Sequence, residues 1–327
     1  MKNIPKKRLL EILSYNIRNS IRRDYVYPFY VSFKLLHRCD RRCKFCNVPM
    51  EKAREMDTQE VFKVLDEFAK SSLFLVSFEG GEPLLRQDIL EILKYIYKQP
   101  YYLLFTTSAG QFHKHDMKEY CKYIDFLHIS IDEEHNNLEH LEKLKEYVGW
   151  GSVVCVQIVV RKQDLDALEY KIRKCRESGA KAIIMPACHL PNTDDMLPDI
   201  RKFADVCLGL KKKYPNTIIT TDRYLKTIEN PKCSTSSIIV DCDGSVFYPC
   251  RTLETRASNI LEEPLNKFLT SEKAFELRKQ MKDCKLQCHW YQYFATDSFL
   301  HPSELFSAAR PYLKSFFFKK DECASCK

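Results

Sequence analysis

Three cysteines in one short segment, Cys39-Asp-Arg-Arg-Cys43-Lys-Phe-Cys46, carry the sharpest chemical signal in this chain. Thiolate is the usual protein ligand of iron–sulfur clusters, and the spacing C-x3-C-x2-C can hold three irons of a 4Fe–4S cube. No fourth cysteine sits nearby in sequence. The fourth iron is thereby left to a small chelating molecule, and such an open position distinguishes a catalytic metal centre from a closed structural one. The plainer alternative is a zinc site completed by His37.

The elements around this segment alternate. Tyr30 to Leu36 reads as a strand that leads directly into the cysteines. Asp57 reads as a helix cap with Glu60 three residues on, and Val61, Val64, Leu65 and Phe68 form the apolar stripe behind it. Strands then follow over Leu73–Phe78, Tyr101–Thr106, Phe126–Ile131, Val153–Val160 and Ala182–Pro186. Helices are expected between them over Ile89–Tyr97, His115–Tyr123, Leu138–Tyr147 and Leu165–Ser178. This is an α/β pattern with a parallel sheet, a partial (β/α)6 barrel that falls short of the eight units of a complete one. Beyond about residue 215 the pattern changes. Ile238–Val240 and Ser245–Tyr248 flank Asp243-Gly244 as a β-hairpin, and helices are expected over Ser271–Met281 and Ser303–Phe317. The expected organisation is a basic N-terminal helix over 1–28, the barrel over 29–215 and a smaller, cysteine-rich α+β domain over 216–327.

Composition agrees with an intracellular metalloprotein. The 327 residues are 45% apolar and 29% charged, which excludes a disordered chain. No apolar run approaches the roughly 18 residues of a spanning helix, and the N-terminus is too charged for a secretory signal. Fifteen cysteines without an export signal point to metal or redox chemistry in a reducing, cytoplasmic setting. The net charge of +8 is concentrated at the start, where Lys2, Lys6, Lys7, Arg8, Arg18, Arg22 and Arg23 face only Glu11. Leu10, Leu13, Ile17 and Ile21 recur there at helical spacing. Such a helix either docks on the barrel with a solvated basic side or makes peripheral contact with an anionic membrane surface.

The cysteine segment, with Phe45 before its last thiol, resembles that of the radical S-adenosylmethionine (SAM) enzymes. Ser77-Phe78-Glu79-Gly80-Gly81-Glu82-Pro83-Leu84, one strand later, is similar to the Gly-Gly-Glu-Pro segment of that family. The resemblance implies that Gly80, Gly81 and Glu82 hold the methionine amino group of SAM; an ammonium seeks a carboxylate, and glycines let backbone approach a ligand. Thr106-Thr107-Ser108-Ala109-Gly110 resembles the family's Thr-Thr-Asn-Gly, with the asparagine replaced and the glycine one residue late. Ser130 and Asp132 end the fourth strand where the family contacts the ribose, and Arg161 is a further candidate for SAM binding near the C-terminal end of the fifth, where ligand sites of parallel sheets gather. Met185 and Pro186 suit a place beside adenine or in the core, and Cys188-His189 follows at the end of the sheet where a radical would form. Implied with the family are a 4Fe–4S cluster, SAM, and reductive cleavage of SAM to a 5′-deoxyadenosyl radical that takes a hydrogen atom from the substrate. The cofactor carries that chemistry and the protein positions it. A cluster that reducing, at roughly −400 mV or below, implies a flavodoxin or ferredoxin as electron donor.

The C-terminal cysteines resemble the twitch and SPASM extensions of the same family, which carry auxiliary clusters. Asp243 to Cys250 looks like their Gly-to-Cys element with one extra residue. The resemblance implies an auxiliary 4Fe–4S cluster on Cys233, Cys250, Cys284 and Cys288. A rival set joins Cys284 and Cys288 to Cys323 and Cys326, and Cys242 is left unassigned. Cys121, Cys155, Cys175 and Cys207 read as buried thiols.

The expected function is hydrogen-atom abstraction from a peptide or small-metabolite substrate. A lipid or isoprenoid substrate at a membrane surface is the alternative. Outside this class stand a zinc-stabilised nucleic-acid-binding protein, against which the lack of basic–aromatic interleaving counts, and an electron-transfer iron–sulfur protein.

Overall fold

From residue 30 onward, apolar strands alternate with amphipathic helices. A computed structural model of the chain describes residues 2–22, 24–188, 194–230, 233–253, 256–286 and 288–293. Six strands come first: β1 (Tyr30–Leu36), β2 (Leu75–Gly80), β3 (Tyr102–Thr107), β4 (Phe126–Ser130), β5 (Val153–Val160) and β6 (Lys181–Pro186). The helices are α1 (Lys6–Arg22), then α2 (Thr58–Lys70), α3 (Ile89–Tyr97), α4 (Met117–Tyr120), α5 (Leu144–Val148), α6 (Leu168–Ser178), α7 (Ile200–Lys213) and α8 (Asp222–Thr227). Strands β7 (Ser237–Val240), β8 (Ser245–Phe247) and β9 (Arg256–Asn259) follow, with α9 (Leu265–Leu269) and α10 (Glu272–Lys282).

Strands β1 to β6 are parallel neighbours in sequence order. Their two faces differ. Val31, Phe33 and Leu35 of β1 are buried, and Phe33 meets Phe68 of α2 edge to face at 5.5 Å. Helix α2 starts where Asp57 accepts from the Glu60 amide and Glu60 accepts from the Asp57 amide, the expected reciprocal cap. The alternate positions of the strands bring Tyr30, Ser32, Glu79, Thr106, Ser130 and Gln157 to the inside of the curve.

The residues after 215 add to this same sheet. β7 lies parallel to β1 along its second edge, pairing Tyr30 with Ser237 and Phe33 with Val240. β8 and β9 continue antiparallel, with the expected Asp-Gly turn between β7 and β8. The order is β6-β5-β4-β3-β2-β1-β7-β8-β9, a curled sheet that does not close, and the boundary expected near residue 215 does not interrupt it.

Two expected helices are shorter than their periodicity suggested. His115–Tyr123 contains only α4, and Leu138–Tyr147 begins as a 3₁₀ helix, Leu138–Lys143, before α5. Asn137, just before it, spends its side-chain amide on the carbonyls of Ser108 and Ser130, which fixes the chain away from a regular helix start. The expected helix over 303–317, the Phe316–Lys320 run, Cys323, Cys326 and His189 lie outside the described residues.

Helix α1 corrects the docking that its periodicity suggested. Its buried residues are Arg8, Ile12 and Asn19, whereas the leucine and isoleucine stripe faces outward. Arg8 donates to the carbonyls of Ser71 and Leu73, both at 2.8 Å, in the turn that follows the end of α2. Asn19 donates to the Tyr27 carbonyl and accepts from its amide. Polar anchors therefore decide which side of α1 is inside. Replacing Arg8 (Arg8→Ala) should strand two buried carbonyls and lower stability by about 1–3 kcal/mol. Urea unfolding would show this, and faster amide exchange should be confined to α1 and the Ser71–Leu73 turn.

Candidate functional site

The cysteine loop leaves β1 at its C-terminal end, and its backbone is locked to the Gly-Gly-Glu segment at the end of β2. The Gly81 amide donates to the Leu36 carbonyl at 2.8 Å and the Glu82 amide to the Arg38 carbonyl at 2.9 Å. The two glycines are required by this contact. Gly80 has φ +125°, and a Cβ on it would lie 2.2 Å from the Leu36 oxygen. A Cβ on Gly81 would lie 1.9 Å from the Arg38 oxygen. The close approach that these glycines permit is thus to the chain's own cysteine loop.

Cys39, Cys43 and Cys46 line one cavity. Burial pushes the Cys39 thiol up to about 11 and that of Cys43 to about 12, and raises Cys46 as well. Iron must therefore displace their protons as it binds. Among the described residues, the one group of His, Cys, Asp and Glu whose ligand atoms all fall within 4.8 Å of one another is His37, Asp241 and Cys242. The three thiols are spread more widely than a single zinc, with Zn–S bonds of about 2.3 Å, would draw them. His37 is turned to other use, its Nε2 lying 2.6 Å from Asp241 Oδ1. The zinc alternative built on His37 and these three cysteines does not fit, and a multi-iron cluster does.

Glu82 is buried, and its oxygens take Thr107 Oγ1, the Ser108 amide and Ser108 Oγ, each at 2.8 Å. Ser108, where the family's asparagine is absent, thus clamps the glutamate. Burial raises the Glu82 carboxyl above its usual range, and no cation pairs with it among the described residues. A buried carboxylate that lines a cavity without a counter-charge fits an ammonium group.

The fourth and fifth strands supply the next wall. Ser130 and Gln157 line the cavity, their side chains 3.5 Å apart. Asp132 does not line it. That carboxylate is fully buried and holds the ring of His135 at 2.9 Å. His135 does line the cavity, and its ring lies 5.5 Å from that of Phe45. Arg161 also stays outside the cavity, paired with Glu134 at 2.5 Å and Asp164 at 2.6 Å. Glu134 in turn accepts from the Lys44 amide, so Arg161 is linked to the cysteine loop through it. His135 escaped the sequence reading because a single histidine after a strand carries no local signature.

The cavity, of about 320 Å³, continues into the curve of the sheet. Met185, Pro186 and Cys188 line its far side. Glu79 lies at its floor, accepting from Tyr30 OH at 2.7 Å and Ser32 Oγ at 2.6 Å. Trp290 and Tyr291 reach in from the C-terminal segment. The buried Nε1 of Trp290 and Oγ1 of Thr106 have no hydrogen-bond partner among the described residues, which marks polar positions for a ligand. Trp290 and Tyr291 lie far along the chain from every motif, and only the fold brings them here.

Past β7 the other thiols gather separately. Cys233 is within electrostatic reach of Cys250, Cys284 and Cys288, and Cys250 of Cys284 and Cys288. Burial pushes Cys250 up to about 11. Cys250 packs with Ile239, Phe247, Met281 and Tyr293. Cys188 interacts with Cys288 while lining the cavity, so it stands between the two groups. Cys242 belongs to neither and sits with His37 and Asp241. Cys121, Cys155, Cys175 and Cys207 are buried thiols, as expected.

A parallel α/β sheet that ends in a three-cysteine loop beside a buried, uncompensated carboxylate has the groups that an iron–sulfur cluster and an amine-bearing ligand would need. The chain belongs to the radical SAM superfamily, whose family model matches residues 33–204. The cofactors are accordingly a 4Fe–4S cluster and SAM. A PqqA peptide cyclase of Rhodopseudomonas palustris is 34% identical over 93 residues, 28% of this chain and 25% of that protein. The chain thus matches about a quarter of the length of this curated relative. Among solved structures, SuiB of Streptococcus suis bound to S-adenosylmethionine is similar at a TM-score of 0.66 and 14% identity, covering 80% of this chain and 70% of that one. The enzyme anSMEcpe with bound AdoMet and the Cp18Cys peptide is similar at a TM-score of 0.61 and 17% identity, covering 88% and 99%. These two share the fold. No helix among the described residues is long and apolar enough to cross a membrane.

Two substitutions probe the site. Gly81→Ala should push the cysteine loop off β2, and anaerobic reconstitution should then yield less bound iron and weaker cluster absorbance at the first site. Glu82→Gln removes the charge that an ammonium would meet, so SAM affinity should fall about 10- to 100-fold by calorimetry. In the unaltered protein, affinity should also fall as the pH drops through the raised Glu82 pKa. That dependence should be absent from the glutamine variant.

Proposed function

We propose that this chain is a radical SAM enzyme that modifies a peptide. The observation that carries the reading is the pairing of Cys39, Cys43 and Cys46 with the uncompensated Glu82 carboxylate in one cavity. When bound, the cluster and SAM together supply one-electron cleavage of the sulfonium and abstraction of a hydrogen atom from the substrate. The chain's own residues have simpler tasks. Cys39, Cys43 and Cys46 would bind the cluster and leave one iron for SAM. Glu82, held by Thr107 and Ser108, would bind the methionine ammonium, with Gly80 and Gly81 fixing the backbone beside it. Ser130 would meet the ribose, while Asp132 orients His135 against Phe45. Arg161 would act at one remove, steadying the cysteine loop through Glu134. Met185 and Pro186, which line the cavity, would pack against adenine. The apolar wall and the C-terminal Trp290 and Tyr291 exclude water.

The peptide reading rests on relatives. One is a PqqA peptide cyclase, SuiB has been solved with its precursor peptide SuiA, and anSMEcpe has been solved with a bound peptide. Glu79, at the cavity floor, offers a carboxylate to an amide N–H or an amine of such a substrate. Cys233, Cys250, Cys284 and Cys288 would hold the auxiliary cluster, and a flavodoxin or ferredoxin would be the electron donor.

Cys43→Ala tests the reading. Under dithionite the variant should yield no 5′-deoxyadenosine, yet it should retain the iron and sulfide of the C-terminal group. Cleavage of SAM at the unaltered rate would refute the site assignment. A mass change in a co-expressed peptide, absent with this variant, would identify the substrate.

A further inference from the structure

Helix α1 presents its apolar side to solvent. Leu9, Leu10, Leu13, Ile17 and Ile21 are 45%, 67%, 54%, 50% and 77% exposed. At about 3.6 residues per turn Leu10, Leu13, Ile17 and Ile21 lie across the helix from the buried Arg8, Ile12 and Asn19, with Leu9 at the flank. The polar anchors described above hold α1 in this sense, so the outward stripe is a fixed feature of the docked helix. Lys6 lies within the stripe and Lys7, Arg18 and Arg22 along one side of it; all four are exposed, and none of them is ion-paired among the described residues. The single acid of the helix, Glu11, is within 3.4 Å of Arg8 and so is already compensated.

An apolar stripe bordered by unpaired cations has the form of a helix that lies in a lipid interface, with leucines among the acyl chains and basic residues at the headgroups. We infer that α1 docks this protein on an anionic lipid surface. Charge argues for that occupant over the others. A second copy paired stripe to stripe would bring two basic borders together. The chain's own residues 294–327 carry Arg310, Lys314, Lys319, Lys320 and Lys327 against Asp297, Glu304, Asp321 and Glu322, so they offer no excess of negative charge. The inference is independent of the reaction assigned to the cavity.

Vesicle co-sedimentation of the full-length, cluster-loaded chain tests it. Phosphatidylcholine vesicles containing phosphatidylglycerol should bind the protein, pure phosphatidylcholine vesicles should bind it far less, and added salt should release it. The triple variant Leu10→Glu/Leu13→Glu/Ile17→Glu should bind no better than the unaltered protein binds neutral vesicles. Lys6→Glu/Lys7→Glu/Arg18→Glu should weaken binding about a hundredfold. All six positions are exposed and the Arg8 and Asn19 anchors are untouched, so circular dichroism and iron content should not change. Equal binding to neutral and anionic vesicles, or full binding by the leucine variant, would overturn the inference. So would a dimer in sedimentation velocity that the same variant converts to monomer, which would assign the stripe to a second copy. Vesicle binding seen only after deletion of residues 294–327 would assign it to the chain's own C-terminus.

Discussion

Two backbone hydrogen bonds, from Gly81 to Leu36 and from Glu82 to Arg38, join the end of β2 to the start of the cysteine loop. The rest of the site depends on them. They require residues without a Cβ at 80 and 81, because the opposing carbonyls leave no room. They also deliver Glu82 to the point where β3 can clamp it through Thr107 and Ser108. One contact thus sets the cysteines, the carboxylate and the next strand end in a common frame. Rigid strand ends carry it, and the precision of a catalytic site rests on such support.

Charge within that frame is deliberately unfinished. Asp132 is satisfied by His135, and Arg161 by Glu134 and Asp164. Of the three, Glu82 alone lines the cavity, and it is buried without an opposite charge among the described residues. Burying a charge in this way is unfavourable unless a partner arrives. The same logic separates the two cysteine groups: the first stands near the carboxylates of Glu82 and Asp132, and the second packs among Ile239, Phe247 and Met281.

Much of this was legible from local pattern. The bounds of β1, α3 and β5 coincide with their sequence expectations because each is a dense apolar run between clear breaks. The cysteine and Gly-Gly-Glu-Pro motifs were legible because their spacing is itself the chemistry. What failed to show were relations across the chain. Periodicity reported a stripe on α1 but not which side would be inside, since Arg8 finds its carbonyls more than sixty residues away. Asp132 and Arg161 were expected to contact SAM from their strand ends, yet their partners, His135 and Glu134, hold them behind the wall of the cavity. Trp290 and Tyr291 enter the cavity from a segment with no motif.

Because β1 is paired on both sides, by β2 and by β7, it has no free edge to offer β6. The outer edge of β6 is taken in turn by the Thr217–Ile219 segment, which bonds Ala182 through backbone on both sides, and the curled sheet stays open. Its far side is shut by side chains, with Tyr291 packed against Cys155, Ile183 and Ile219. On that side the C-terminal segment meets β5 and β6 through packed side chains and not through paired strands.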